Sequence, residues 1–298
     1  MIEAIILGAG AGGGFPQWNS NAPGCRRSRA GDPAAPPRTQ TSVAVSGDGA
    51  HWFILNASPD LRIQIERTPV LHPRQGLRHT PIAGVILTGA EVDCIAGLLT
   101  LREGQAFRLL ATAKTLSQLD RNPIFEVVSR DLVPRIALGA GEATLDEAGL
   151  TVVAFPVPGK VPLYAEGAGG SDKDDDTVGL EISDGAGRLL FIPGCAAMTP
   201  ALLQRLDGAD CVFFDGTLWR DDEMITAGIG TKTGRRMGHM SVSGPAGVLE
   251  SLRDVRIERK ILIHMNNSNP VLLADTAERR AVERAGWQVA QDGLAVRV

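Results

Sequence analysis

Short apolar runs punctuate this chain, and most of them stop at a polar residue. Residues 2–7 are mostly aliphatic, as in a strand buried on both faces. Residues 41–45 and 51–55 alternate around Gly47-Asp48-Gly49, which predicts two strands joined by a turn. A strand over 85–87 hands over, through small and acidic residues, to the helical spacing Val92, Ile95, Leu98, Leu99. Further strands are expected at 108–110, 150–156, 178–183, 188–192, 211–214 and 260–263. The pair at 178–183 and 188–192 reads as a hairpin turning at Asp184-Gly185-Ala186-Gly187. Helices are expected at 115–121, 243–252, 276–285 and 200–206, the last with Thr199 as N-cap and Pro200 in its first turn. Two short strands close the chain. With no internal repeat and no linker, residues 1–298 read as one domain.

The connecting segments carry several motifs that need weighing. Gly8, Gly10 and Gly13 have the Gly-x-Gly-x-x-Gly spacing of a dinucleotide loop, but that motif needs a helix at its third glycine. Gly14-Phe15-Pro16 stands there instead, so no nicotinamide cofactor is expected, and the glycines are read as letting backbone approach backbone near a site. Residues 19–37 are polar, basic and rich in Pro and Gly, and read as a surface loop or an anion-facing flap. Asp172, Asp174 and Asp176 have calcium-loop spacing, but Thr177 replaces the required Gly and no Glu closes the loop. They read as a solvated run, with Asp176 kept as a site candidate because it borders the next strand. His51, His72 and His79 lack ligand-spaced neighbours and read as surface or structural.

Composition narrows the class. Hydrophobic residues at 44%, charged residues at 21% and a mean hydropathy of +0.02 fit a globular protein, its core filled largely by aliphatic side chains. A net charge of −4 and a pI near 5.8 argue against a nucleic-acid partner. Four cysteines without a Cys-x-x-Cys pair read as reduced thiols of a cytoplasmic protein. No apolar stretch approaches the roughly 20 residues of a spanning helix, and no signal peptide is recognised, so membrane insertion is not expected.

The strand ends hold the chemistry. Asn56 and Asp60, Asp93 and Cys94, Asp215, and His264 all follow apolar runs, and His239 is read as opening a helix. Strands of one sheet share an edge, and open α/β sheets bind ligands there. Acid, thiol and imidazole together suit zinc or iron(II). Singly, each residue reads better as a helix cap or a satisfied core group; as a set they predict a shared site.

Several long segments are unusual: GAGAGGGFPQWN, PRTQTSVAVS, NASPDLR, GLLTLREG, GADCVFFDGTLWRDDEM, GIGTKTGRRMGHMS and ILIHMNNSNP. Through them the chain resembles the pyrroloquinoline quinone (PQQ) biosynthesis protein B family. The resemblance implies an α/β metallo-β-lactamase-like fold, an αβ/βα four-layer sandwich of two mixed sheets with helices outside. Metal in that fold is usually held by His-x-His-x-Asp-His, which aligns here with Gly89-Ala90-Glu91-Val92-Asp93-Cys94. Asp93 carries over directly, Cys94 by position alone, and Glu91 is a further candidate; Gly89, Glu91 and Cys94 mark a diverged site. His239 and His264 match family histidines, so Asp93, His239 and His264 are expected to carry catalysis and, with Cys94, the metal. Relatives also carry Cys-x-Cys-x-x-Cys for a structural zinc, where this chain has Ser20, Ala22 and Cys25. One thiol cannot close a four-ligand site, and no structural zinc is expected.

The function implied by the resemblance is the making of PQQ from a small peptide containing Glu and Tyr. The leading reading is an iron(II)-dependent oxygenase, with zinc as an alternative occupant, hydroxylating the tyrosine ring of the cross-linked precursor. Arg235 and Arg236 are expected to clamp substrate carboxylates. The alternatives are a non-catalytic carrier of PQQ or its precursor towards the periplasm and a metal-dependent hydrolase. Expected partners are the PQQ precursor, PQQ and other proteins of its synthesis; a homodimer stays open.

Overall fold

The computed structural model describes residues 1–139, 141–160 and 177–298. Strands β1 (Glu3–Gly8), β2 (Ser42–Ser46), β3 (Trp52–Leu55), β4 (Ile82–Ile86), β5 (Arg108–Thr112) and β6 (Arg135–Leu138) lie side by side in chain order. A second sheet follows, made of β7 (Ala143–Leu145), β8 (Leu150–Pro156), β9 (Val178–Ser183), β10 (Arg188–Ile192), β11 (Ala209–Asp215), β12 (Ile257–Ile263) and β13 (Trp287–Val289), again with sequence neighbours as spatial neighbours. The final strand, β14 (Ala295–Arg297), returns to pair antiparallel with β1, so each sheet has seven strands. Both sheets are mixed: β1–β2–β3 and β7–β8–β9–β10 run antiparallel, β3–β4–β5–β6 and β10–β11–β12–β13 parallel.

The period-2 alternation of the early strands sorts their side chains between two cores. Val43, Val45, Phe53 and Leu55 join Leu180, Ile182 and Leu190 of the second sheet in one buried cluster. Their neighbours Ala44, Trp52 and Ile54 point the other way, into a second cluster beneath the helices Leu61–Glu66 and Ala113–Asp120. On the far face of the second sheet, helices Pro200–Leu206 and Ala277–Arg284 contribute Leu202, Leu206 and Val282. The order helix, sheet, sheet, helix is the four-layer arrangement expected from the resemblance.

Several elements differ from expectation. Residues 19–37 contain a helix, Pro23–Arg29, with Pro23 in its first turn and Cys25 and Ser28 buried. Its arginines are not free loop charges: Arg27 pairs with Asp32 at 2.6 Å and Asp275 at 2.7 Å, and Arg29 donates to main-chain carbonyls of Gln17 and Ser20. The partner Asp275 lies nearly 250 residues away, and local sequence reports nothing of such contacts. The helix expected over 243–252 shrinks to Val248–Ser251, because Ser243–Gly247 turns instead. His239 does not open a helix; it follows the single 3-10 turn Arg235–Met237. Asp172, Asp174 and Asp176 lie outside the described residues.

Candidate metal centre

Parallel strands bring the first pair of groups together. In the register of β11 with β12, Asp215 lies opposite Ile263, so the next residue on β12's side, His264, leaves the sheet beside it. His264 has φ = +60°, a left-handed conformation that costs of order 1–3 kcal/mol for a residue with a Cβ and persists only where surroundings enforce it. Here they do: the next residue, Met265, exchanges main-chain hydrogen bonds with Ala9 and Ala11 of the glycine-rich loop. That loop therefore stitches the end of β1 to the end of β12. Gly12 then lies so close to Asp93 that a Cβ there would sit 3.4 Å from its carboxylate oxygen. At Gly8 a Cβ would lie 2.1 Å from the Gln40 main-chain oxygen, so backbone does approach backbone there, as expected.

Asp215 is fully buried and its two oxygens are saturated. Oδ2 accepts from the Cys195 main-chain N–H at 2.9 Å and faces His239 Nδ1 at 2.8 Å. Oδ1 accepts from the Thr217 N–H at 3.0 Å and the Thr217 hydroxyl at 2.6 Å. With its proton given to Asp215, the Thr217 oxygen can accept from His264 Nδ1 at 2.8 Å and from His239 Nδ1 at 3.1 Å. One acid and one hydroxyl thus set the tautomer of both imidazoles, leaving each Nε2 as the available ligand atom. The rings stack with centroids 5.2 Å apart. His239 reaches this position because Gly238, at φ = +88°, reverses the chain after the 3-10 turn.

Asp93 enters from the first sheet, in the short helix Val92–Ile95 after β4, and its Oδ2 lies 3.0 Å from His264 Nε2. Burial raises the Asp93 pKa, but the hydrogen bond and charge of His264 outweigh it and hold the carboxyl below its ordinary value. Burial likewise lowers the His264 pKa, and Asp93 outweighs it in the opposite sense, raising it. With Nδ1–H committed to Thr217, a neutral His264 would aim its Nε2 lone pair at a carboxylate. A cation between them, either a proton or a metal, resolves that contact. Asp215, His239 and His264 offer ligand atoms all within 4.8 Å of one another. Asp215 is already held by protein donors, and Asp93 reaches this group through its contact with His264. These donors fit a divalent ion.

The other candidates fall away from this cluster. The Cys94 sulfur lies 4.0 Å from Asp93 Oδ1 and 4.0 Å from Thr88 Oγ1 and does not join the cluster. Burial, with Asp93 and Glu91 nearby, pushes its thiol well above the ordinary value in the metal-free protein. Glu91 is engaged by Lys160 at 3.0 Å. Arg235 and Arg236 are exposed on the turn before His239. Asp176 lies outside the described residues. Asp215 was legible as a strand end but gave no sign of outranking Cys94, and Thr217 gave no signal at all, hydroxyls being common after strands.

At the positions compared with a structural zinc site, Cys25 is buried with its sulfur 3.6 Å from Asn267 Oδ1. Ser20 and Ala22 line a neighbouring cleft of about 840 Å³ with Gln17, Asn267 and Met224.

Two mixed sheets meeting at an edge of acids and imidazoles define a class, and the sequence agrees with it. The family model of the beta-lactamase superfamily domain matches residues 51–265. Narrower relatives cover almost the whole chain. A coenzyme PQQ synthesis protein B of Gluconacetobacter diazotrophicus is 62% identical, over 99% of this chain and 99% of that protein. One from Gluconobacter oxydans is 56% identical, over 100% and 99%. The crystal structure of zinc-bound PqqB from Methylobacterium extorquens superposes with a TM-score of 0.95 at 49% identity, covering 99% of this chain and 100% of that one. The chain belongs to the coenzyme PQQ synthesis protein B family. Among the described residues, no helix is long and apolar enough to cross a membrane.

Proposed function

We propose that the protein is an iron(II)-dependent oxygenase of PQQ synthesis that hydroxylates the tyrosine-derived ring of the PQQ precursor. The observation that supports this reading is the contact of a first-sheet carboxylate, Asp93, with His264, whose ring stacks on that of His239. Two imidazoles and one carboxylate are the donor set that leaves positions open on iron(II). Iron bound there supplies the redox chemistry towards oxygen that no side chain offers. Zinc satisfies the same donors, and the zinc in the Methylobacterium relative supports a metal without choosing between the two.

The chain's own residues do the rest. Asp215 orients His239, and Thr217 orients His264, so neither imidazole must reorganise when a substrate arrives. Arg235 and Arg236, exposed before His239, are available to substrate carboxylates.

Anaerobic reconstitution with iron(II), followed by addition of oxygen and a tyrosine-containing precursor, should produce oxygen uptake that His264→Ala abolishes. PQQ binding that survives both chelation and this substitution, without uptake, would replace the oxygenase by a carrier. The carrier is favoured by one observation: Cys94 stands where the wider pattern has a metal-binding histidine, with its sulfur 4.0 Å from Asp93 Oδ1. Metal-dependent hydrolysis without oxygen uptake would point to the third reading.

A further inference from the structure

The carboxylates of this centre need a counter-charge if the substrate is itself an acid. Asp93, Asp215 and Glu91 all bear on His264. A polyanionic ligand entering such a pocket is repelled unless a cation meets it. The cation that the structure brings into ion-pair contact with this group is Lys160, whose Nζ lies 3.0 Å from Glu91 Oε1.

Three contacts fix where Lys160 stands. Its main-chain carbonyl accepts from the Thr177 hydroxyl at 3.4 Å, anchoring it at the start of β9. Its aliphatic stem crosses the turn before His239, since a Cβ on Gly238 would lie 2.9 Å from Lys160 Cγ. Its ammonium ends on Glu91, two residues before Asp93. Lys160 therefore spans the two sides of the centre, from the His239 turn to the Asp93 helix, beside Arg235 and Arg236. The Lys160 side chain is 29% exposed and that of Glu91 31%, so the pair sits at the rim, where an incoming anion can compete for the ammonium.

We propose that Lys160 is a specificity-determining residue that binds a carboxylate of the substrate by exchanging Glu91 for it. Glu91 holds the ammonium in place until then and sets the threshold an anion must beat. The ligand class is an aromatic or quinonoid polycarboxylate. This assignment rests on the reading of the centre as a site for PQQ-related compounds.

The probe is PQQ itself, a tricarboxylic acid, compared with its uncharged trimethyl ester. Binding to zinc-loaded protein is measured by equilibrium dialysis, with zinc content checked for every variant. Lys160→Met should weaken PQQ binding about tenfold, the scale of one charge-assisted hydrogen bond, and leave ester binding and zinc content unchanged. Lys160→Arg should recover most of the loss. Glu91→Gln should tighten PQQ binding, and that gain should vanish in the Lys160→Met/Glu91→Gln double variant. Unchanged PQQ binding in Lys160→Met overturns the proposal, as do equal losses for acid and ester or a gain from Glu91→Gln that persists without Lys160. If Lys160→Met does not fold, Glu91→Gln alone decides, and no tightening overturns the proposal. Failure of the wild-type protein to bind PQQ overturns this proposal and the PQQ reading together, whereas failure of the variants alone leaves that reading intact.

Discussion

The two sheets furnish the centre unequally. The second sheet side delivers Asp215, Thr217, His239 and His264 as one hydrogen-bonded unit, its central carboxylate wholly buried and saturated. The first sheet delivers Asp93, flanked by Gly89, Glu91 and Cys94 where the wider pattern has histidines. On one side position is enforced by burial and by a strained main chain at His264; on the other it depends on one carboxylate in a four-residue helix. The difference teaches that a site can keep its rigid half while its ligand-rich half drifts. Loss of an outer donor costs metal affinity, but loss of a buried acid also leaves its hydrogen-bond donors stranded.

The largest effect should come from breaking the rigid half. Asp215→Ala strands the Cys195 and Thr217 N–H groups and frees His239, and should cost about 3 kcal/mol or more of folding stability along with metal binding. Denaturant unfolding with metal analysis reads both, and wild-type stability in this variant would refute the picture of a locked half. A second, smaller effect is expected from Thr217→Val, which keeps the shape but removes the hydroxyl between the imidazoles. Metal affinity should fall roughly 10–100-fold, as for other residues that orient ligands, with about 1–3 kcal/mol of stability lost from the Asp215 oxygen left without this donor.

The drifted half is sharpened at position 94. Alkylation of Cys94 in metal-free protein, followed by mass spectrometry, should keep accelerating beyond pH 9, because its thiol titrates above the ordinary value of 9.0. Rapid labelling at neutral pH would mean a thiolate and return the sulfur to the ligand set. Cys94→His should raise metal affinity if a donor there can reach the cluster, and an unchanged affinity removes position 94 from the site.

The smallest effect concerns the joint between the halves. Burial raises the Asp292 pKa above its ordinary 3.8, although its carboxylate accepts hydrogen bonds from Ala9 and Thr39 at the base of the glycine loop. The folded state thus holds this proton more tightly than the unfolded chain. Its contribution favours folding below that window and is lost as pH rises from 3.8 through the raised value. The slope is at most about 1.4 kcal/mol per pH unit. Asp292→Asn should flatten this part of the stability profile in urea titrations across pH, and an unaltered profile would exclude the linkage.

Most strands were legible in the chain. The alternation at Val43, Ala44 and Val45 is a local consequence of the pleat, and strands ending at Asp215 and before His264 announce themselves by the polar residue that follows. The helix Pro23–Arg29 was not legible, because its arginines are held by distant carboxylates and carbonyls. Nor was the rank of the site residues. Asp93 and His264 are 171 positions apart, and only the folding of both sheets onto a shared core brings their atoms to 3.0 Å.

By itself, then, the sequence determined most strands and the candidates gathered at strand ends, since hydrophobic period and punctuation are short-range properties, while the family and its layered sheets came through the resemblance of whole segments. The tertiary structure alone decided that Asp215 is buried against His239 and Thr217, that Asp93 meets His264, and that Lys160 reaches across to Glu91. Each of those outcomes depends on burial and on partners far away along the chain, and neither is written in any local stretch of residues.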